Sequence, residues 1–99
     1  MASFTIELTE NKTLLFRFKD YWECEDIPEL QQHISLLLAG YQLIENVLGA
    51  DRQYMRFEWQ SFSYILQFES YGQSCWLESD ASDESIAIET IHQYLLNKN

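Results

Sequence analysis

The stretch "QYMRFEWQSFSYILQFESY", Gln53 to Tyr71, decides the fold. Met55, Phe57 and Trp59 alternate with Tyr54, Arg56 and Glu58, and after Gln60 and Ser61 the alternation resumes with Phe62, Tyr64, Leu66 and Phe68. Successive side chains of a strand point to opposite faces, so a period of two marks a strand with one buried face. A tight turn at Gln60-Ser61 sets Trp59 against Phe62 and Phe57 against Tyr64. The two apolar faces then coincide, which supports the register.

Toward the carboxyl end, Gly72-Gln73 has the composition of a Gly-first two-residue hairpin turn and places Phe68 opposite Leu77 in "SCWLES", Ser74 to Ser79. The segment from Ser79 to Lys98 opens with cap-forming residues and acids and continues with Ile88, Ile91 and Leu95 on one side, an amphipathic helix. Toward the amino end, "GADR" reads as a turn and "YQLIENVL", Tyr41 to Leu48, as a strand of mixed character. Before it, Ile27, Leu30, Ile34, Leu37 and Leu38 share one stripe of a helix predicted over Ile27 to Ala39, with Gly40 as the left-handed cap. "FTIEL" (Phe4 to Leu8) and "LLFRF" (Leu14 to Phe18), joined by the polar "TENKT", form a first hairpin. The order is ββαββββα, an α+β two-layer sandwich in which an antiparallel sheet carries two helices on one face. The sequence leaves strand order open. With 99 residues and 46% apolar content, residues 1–99 are expected to form a single α+β domain.

Sixteen acids against six bases give a formal net charge of −10. Such a field repels phosphate backbones and anionic bilayers, so neither nucleic acid nor membrane is an expected partner. "MASFTIELTE" lacks the charged and apolar regions of a signal peptide, and a cytoplasmic location is expected. Two distant cysteines, Cys24 and Cys75, do not make a disulfide framework and are expected to be reduced. The acids gather before each helix, as Asp20, Glu23, Glu25, Asp26 and Glu29 and as Glu78, Asp80, Asp83 and Glu84. There they complement the helix dipole, and if the chain reverses at each turn the two clusters occupy opposite poles.

The stretch "DYWECEDIPEL", Asp20 to Leu30, places Cys24 among carboxylates beside Trp22. It reads as a helix start, with Asp26 as N-cap, Pro28 in the first turn and Glu29 completing a capping box. A reactive thiol needs an electropositive setting, and Glu23, Glu25 and Asp26 supply the opposite. Cys24, His33, Cys75 and His92 come from four separate elements without metal-site spacing, so no metal site, catalytic residue or cofactor is expected. Each histidine sits at the rim of a helix's apolar stripe.

What remains is the sheet's outer face. The hairpin registers set Glu45 opposite Arg56, Arg56 opposite Ile65, and Glu69 opposite Trp76, with Tyr54 and Tyr71 pointing the same way. Tyr54, Arg56, Ile65, Glu69, Tyr71 and Trp76 are the candidate protein-binding residues, because aromatic side chains and arginine characterise interface cores. Leu36 and Ile86 are lesser exposed apolar positions.

The strings "GADRQ", Gly49 to Gln53, and "CWLE", Cys75 to Glu78, resemble a small uncharacterised bacterial family of acidic proteins near this length with no assigned activity. The resemblance implies a cytosolic bacterial setting. The reading that follows is a non-enzymatic cytosolic domain that binds a protein partner, or a second copy of itself as a homodimer, through the open sheet face. One alternative is an acidic inhibitor or immunity-type protein that uses its carboxylates, and another is a small enzyme that uses a Cys/His pair.

Overall fold

The computed structural model describes residues 4–49, 52–80 and 85–98. Its elements are strands β1 (Phe4–Leu8) and β2 (Leu14–Phe18), a 3₁₀ turn (Cys24–Asp26), helix α1 (Ile27–Leu36), strands β3 (Gln42–Leu48), β4 (Arg52–Trp59), β5 (Phe62–Glu69) and β6 (Ser74–Ser79), and helix α2 (Ser85–Lys98). The order is ββαββββα, and the architecture is the α+β sandwich that the periodicities predict. The strands form one antiparallel sheet in the order β1-β2-β6-β5-β4-β3. The last strand is thus inserted against the first hairpin, and β1 and β3 form the two edges. No helix is long and apolar enough to cross a membrane.

Alternation dictates the core. Met55, Phe57 and Trp59 of β4, Tyr64, Leu66 and Phe68 of β5, and Cys75 and Leu77 of β6 are buried on one side. Ile27, Leu30 and Ile34 of α1 and Ala87, Ile88, Ile91 and Leu95 of α2 join them in one cluster. Each Leu, Ile, Phe or Met among them contributes about 1.5–3 kcal/mol on burial. Two of the polar groups inside the layer find partners: Tyr64 donates its hydroxyl to the Ala87 carbonyl at 2.7 Å, and Trp59 Nε1 donates to the Ala39 carbonyl at 3.1 Å. Trp22 is buried in the connection after β2, edge-on to Phe68 with centroids 5.8 Å apart. Its backbone is clamped by the Gln73 side chain, which accepts from the Trp22 N–H at 3.0 Å and donates to its carbonyl at 2.6 Å.

Four local expectations are corrected. The α-helix stops at Leu36 rather than Ala39, because Leu37 and Leu38 donate to the carbonyls of Ile34 and Ser35 in tighter turns. Gly40 still takes the left-handed conformation (φ 84°) that lets the chain leave. The N-terminal capping box lies three residues upstream of the predicted one: Asp26 is itself helical, and its carboxylate accepts from the Glu23 N–H at 2.9 Å. The β5–β6 turn spans Ser70 to Gln73, with Gln73 and not Gly72 in the left-handed region (φ 55°). That longer turn slips the register by two residues, so Phe68 faces Cys75 and Leu66 faces Leu77. An even slip leaves every side chain on its predicted face. The β4–β5 register is the predicted one, Trp59 opposite Phe62 and Phe57 opposite Tyr64, closed by Gln60 and Ser61 at positive φ. The interior of "GADR" and the acids Asp83 and Glu84 lie outside the described residues.

Candidate functional site: the uncovered sheet face

Both helices pack on one side of the sheet, and the residues between the core positions make up the other. Strand pairing aligns Glu7, Leu15, Trp76, Gln67, Tyr54 and Val47 in one row across all six strands. A second row runs Glu78, Ile65, Arg56, Glu45. Leu15, Trp76, Ile65 and Tyr54 are half-buried. Leu15 was missed as a site residue because its placement depends on β6 lying beside β2, which no local pattern reveals, whereas Gln67 and Val47 follow from the hairpin registers and were passed over.

Of the predicted residues, the structure brings Tyr54, Arg56, Ile65 and Trp76 together, with Arg56 between Glu45 and Ile65. Trp76 lies on the face away from the helices, between the buried Cys75 and Leu77. It does not face Glu69 as predicted: with the longer turn, Glu69 lies opposite Ser74 and Arg52, and Trp76 opposite Gln67 and Leu15. Glu69 instead accepts the Gly72 N–H at 2.7 Å. Tyr71 is not on the sheet at all. It sits in the turn, 86% exposed. Leu36 and Ile86 are exposed on the two helices.

Charges rim this apolar centre. Arg56 donates to Glu45 at 3.0 Å and to Asp80 at 2.8 Å, joining β3 to the chain leaving β6. Desolvation alone would lower the guanidinium pKa, but Asp80, Tyr54 and Glu45 outweigh it and the net shift is upward. Arg17 pairs with Glu7 at 3.3 Å, and Gln67 donates to Glu78. Exposed ion pairs of this kind contribute little to stability, so they orient the rim more than they hold the sheet.

The thiols and imidazoles lie apart from this face. Cys75 is buried in the core, and desolvation pushes its thiol well above the usual range. Cys24 hydrogen-bonds through Sγ to Ser70 Oγ at 3.2 Å. Beside it, Glu23 has its pKa raised by a hydrogen bond and charge repulsion from Glu25, a sign of how negative the surroundings are. His33 packs edge-on to Phe4, with centroids 5.7 Å apart. One cleft of about 360 Å³ lies between Phe4, Thr5, Arg17, Phe18 and Lys19, and one of about 110 Å³ lies beside Gly40 and Trp59. Neither is lined by a cysteine or histidine. Among the described residues, no three His, Cys, Asp or Glu side chains are grouped to hold a metal ion.

The first acidic cluster and the described acids of the second, Glu78 and Asp80, flank opposite ends of β5. Cys24, in the first cluster, touches Ser70 after its last residue, whereas Asp80 donates its N–H to the carbonyl of Ser63 near its first. A family model described as "Protein of unknown function (DUF3630)" matches residues 5–97. No curated protein and no solved structure matches the chain.

Proposed function

The chain belongs to this family of proteins of unknown function, and we propose, from its surface, that it is a non-enzymatic cytosolic module whose uncovered sheet face binds another protein. The observation that carries this is the row Leu15, Trp76, Gln67, Tyr54 and Val47, an aromatic and aliphatic band that neither helix covers. Trp76 and Tyr54 would be the buried anchors, and Arg56, Glu45, Asp80 and Glu78 the polar rim that excludes water around them. The alternative enzyme reading is disfavoured by a core-buried Cys75 and by a Cys24 set among carboxylates. The acidic-inhibitor reading is disfavoured by the separation of the first cluster from Glu78 and Asp80, the described acids of the second, since steering toward a basic site needs carboxylates on one surface.

Affinity capture from the source cell with the wild-type chain and Trp76→Ala, side by side, tests the proposal. A partner held by the wild type and lost by a folded Trp76→Ala supports it. Equal capture by both removes the sheet face from consideration, and capture that weakens steeply with salt favours the acidic reading instead.

A further inference from the structure

Strand β3 closes the sheet on one side, and every one of its residues is exposed. Leu43, Ile44, Val47 and Leu48 are 53%, 52%, 37% and 69% accessible, an unusual load for a strand whose backbone edge faces no other strand among the described residues. The opposite edge differs: Phe4, Ile6 and Leu8 of β1 pack on the core. Edge strands are ordinarily guarded by lysine, proline or inward charges. Strand β3 has no basic residue and no proline, and its single charge, Glu45, is already paired with Arg56. Its bulge, between Leu43 and Glu45, lies at the start of the strand and leaves Glu45 to Leu48 in regular register with β4.

We propose that β3 is a homodimerisation edge, on which the β3 strand of a second copy adds antiparallel about a two-fold axis at Asn46, extending the sheet continuously from one subunit into the other. The backbone supplies the donors and acceptors. Gly49 donates to the Arg52 carbonyl at 2.9 Å, and because hydrogen-bonded and open pairs alternate, Asn46 and Leu48 turn their N–H and C=O groups away from β4. The strand matches itself at that register. An axis at Asn46 sets Ile44 opposite Leu48 of the second copy and Glu45 opposite its Val47. An axis at Glu45 would oppose two carboxylates, and one at Val47 would leave Ile44 unmatched.

Charge permits a second copy at this edge. A chain of net charge −10 repels itself, but the span from Gln42 to Trp59 holds three acids and two bases, close to neutral. A heterologous partner would need none of this self-matching. This edge shares Val47 and Glu45 with the uncovered face, but it pairs through the backbone of β3, so the proposal goes beyond the binding function above and does not depend on Trp76.

The test is the association state of the full chain by sedimentation equilibrium at tens of micromolar, with circular dichroism confirming the fold of each variant. Wild type is expected to dimerise, and Ile44→Lys with Leu48→Lys to weaken dimerisation by more than about a hundredfold, since both side chains are exposed in the monomer and their loss costs the fold little. Ile44→Lys with Leu48→Glu is expected to regain about tenfold or more over the double lysine variant, because the register sets each new cation against a carboxylate of the other copy. Trp76→Ala is expected to dimerise as wild type does. A monomeric wild type, a dimer indifferent to the double lysine variant, equal behaviour of the two double variants, or a dimer lost in Trp76→Ala would each overturn the proposal.

Discussion

Gln31 of α1 and Asn46 of β3 exchange two amide hydrogen bonds, each 3.3 Å, one in each direction. This reciprocal pair ties the helix to an edge strand whose side chains are otherwise exposed. It also joins a buried residue to an exposed one, since Gln31 is 5% accessible and Asn46 is exposed.

The pair should respond asymmetrically to mutation. Asn46→Ala strands the buried Gln31 amide without partners, at an expected cost of about 1–3 kcal/mol. Gln31→Met keeps the volume and returns the Asn46 amide to water, with an expected change under about 1 kcal/mol. Urea titrations of the two variants decide the matter, and equal losses would contradict the buried placement of Gln31.

Trp76 and Leu77 are neighbours on one strand that face opposite ways, which makes them a matched control. Trp76→Ala removes cross-strand contact with Leu15 and Gln67 and should cost about 1 kcal/mol. Leu77→Ala empties a site that is 1% accessible and should cost roughly 2–5 kcal/mol. If Trp76→Ala proves as destabilising in urea as Leu77→Ala, the outward placement of the indole is wrong.

Gln53 offers a gain in stability. It faces the helix side of β4, between Leu48 and Phe68, and its buried Oε1 has no hydrogen-bond partner among the described residues. An unpaired buried carbonyl carries its desolvation cost uncompensated. Gln53→Met, of similar length and apolar, is expected to be neutral to about 1 kcal/mol more stable by thermal or urea unfolding. A clear loss of stability would mean that the amide has a partner after all.

Element types were legible because period two and period 3.6 survive in the one-dimensional pattern: Met55, Phe57 and Trp59 announce β4, and Ile27, Leu30 and Ile34 announce α1. The β4–β5 register was legible for the same reason, since a two-residue turn at Gln60-Ser61 leaves no slack. The β5–β6 register was not, because composition favours Gly72 for the special backbone position while the chain puts Gln73 there and uses its side chain to hold Trp22. For the candidate site, the placement of Tyr54, Arg56, Ile65 and Trp76 on one face follows from alternation alone. The extension of that face to Leu15 does not, nor does the isolation of β3 at the edge. Both depend on β6 pairing with β2, a contact between residues far apart in sequence that local propensity does not encode.

Cys75 and Cys24 should differ in reactivity, and the difference carries a pH signature. Burial pushes the Cys75 thiol well above the ordinary 9.0 because the thiolate would be desolvated in the core. A thiol whose folded pKa exceeds its unfolded pKa keeps its proton more readily in the native state. Its contribution to stability is therefore complete below pH 9.0 and is lost as pH rises from there toward the folded pKa. The urea midpoint of wild type relative to Cys75→Ala should stay constant from about pH 7 to 8 and narrow by about pH 10. In native protein near pH 8, an alkylating reagent followed by peptide mass spectrometry should modify the half-buried Cys24 well before Cys75, and urea should abolish the difference. Modification of Cys75 at a rate equal to that of Cys24 in the folded protein would show that β6 opens readily, and the core assignment of its inward face would fail.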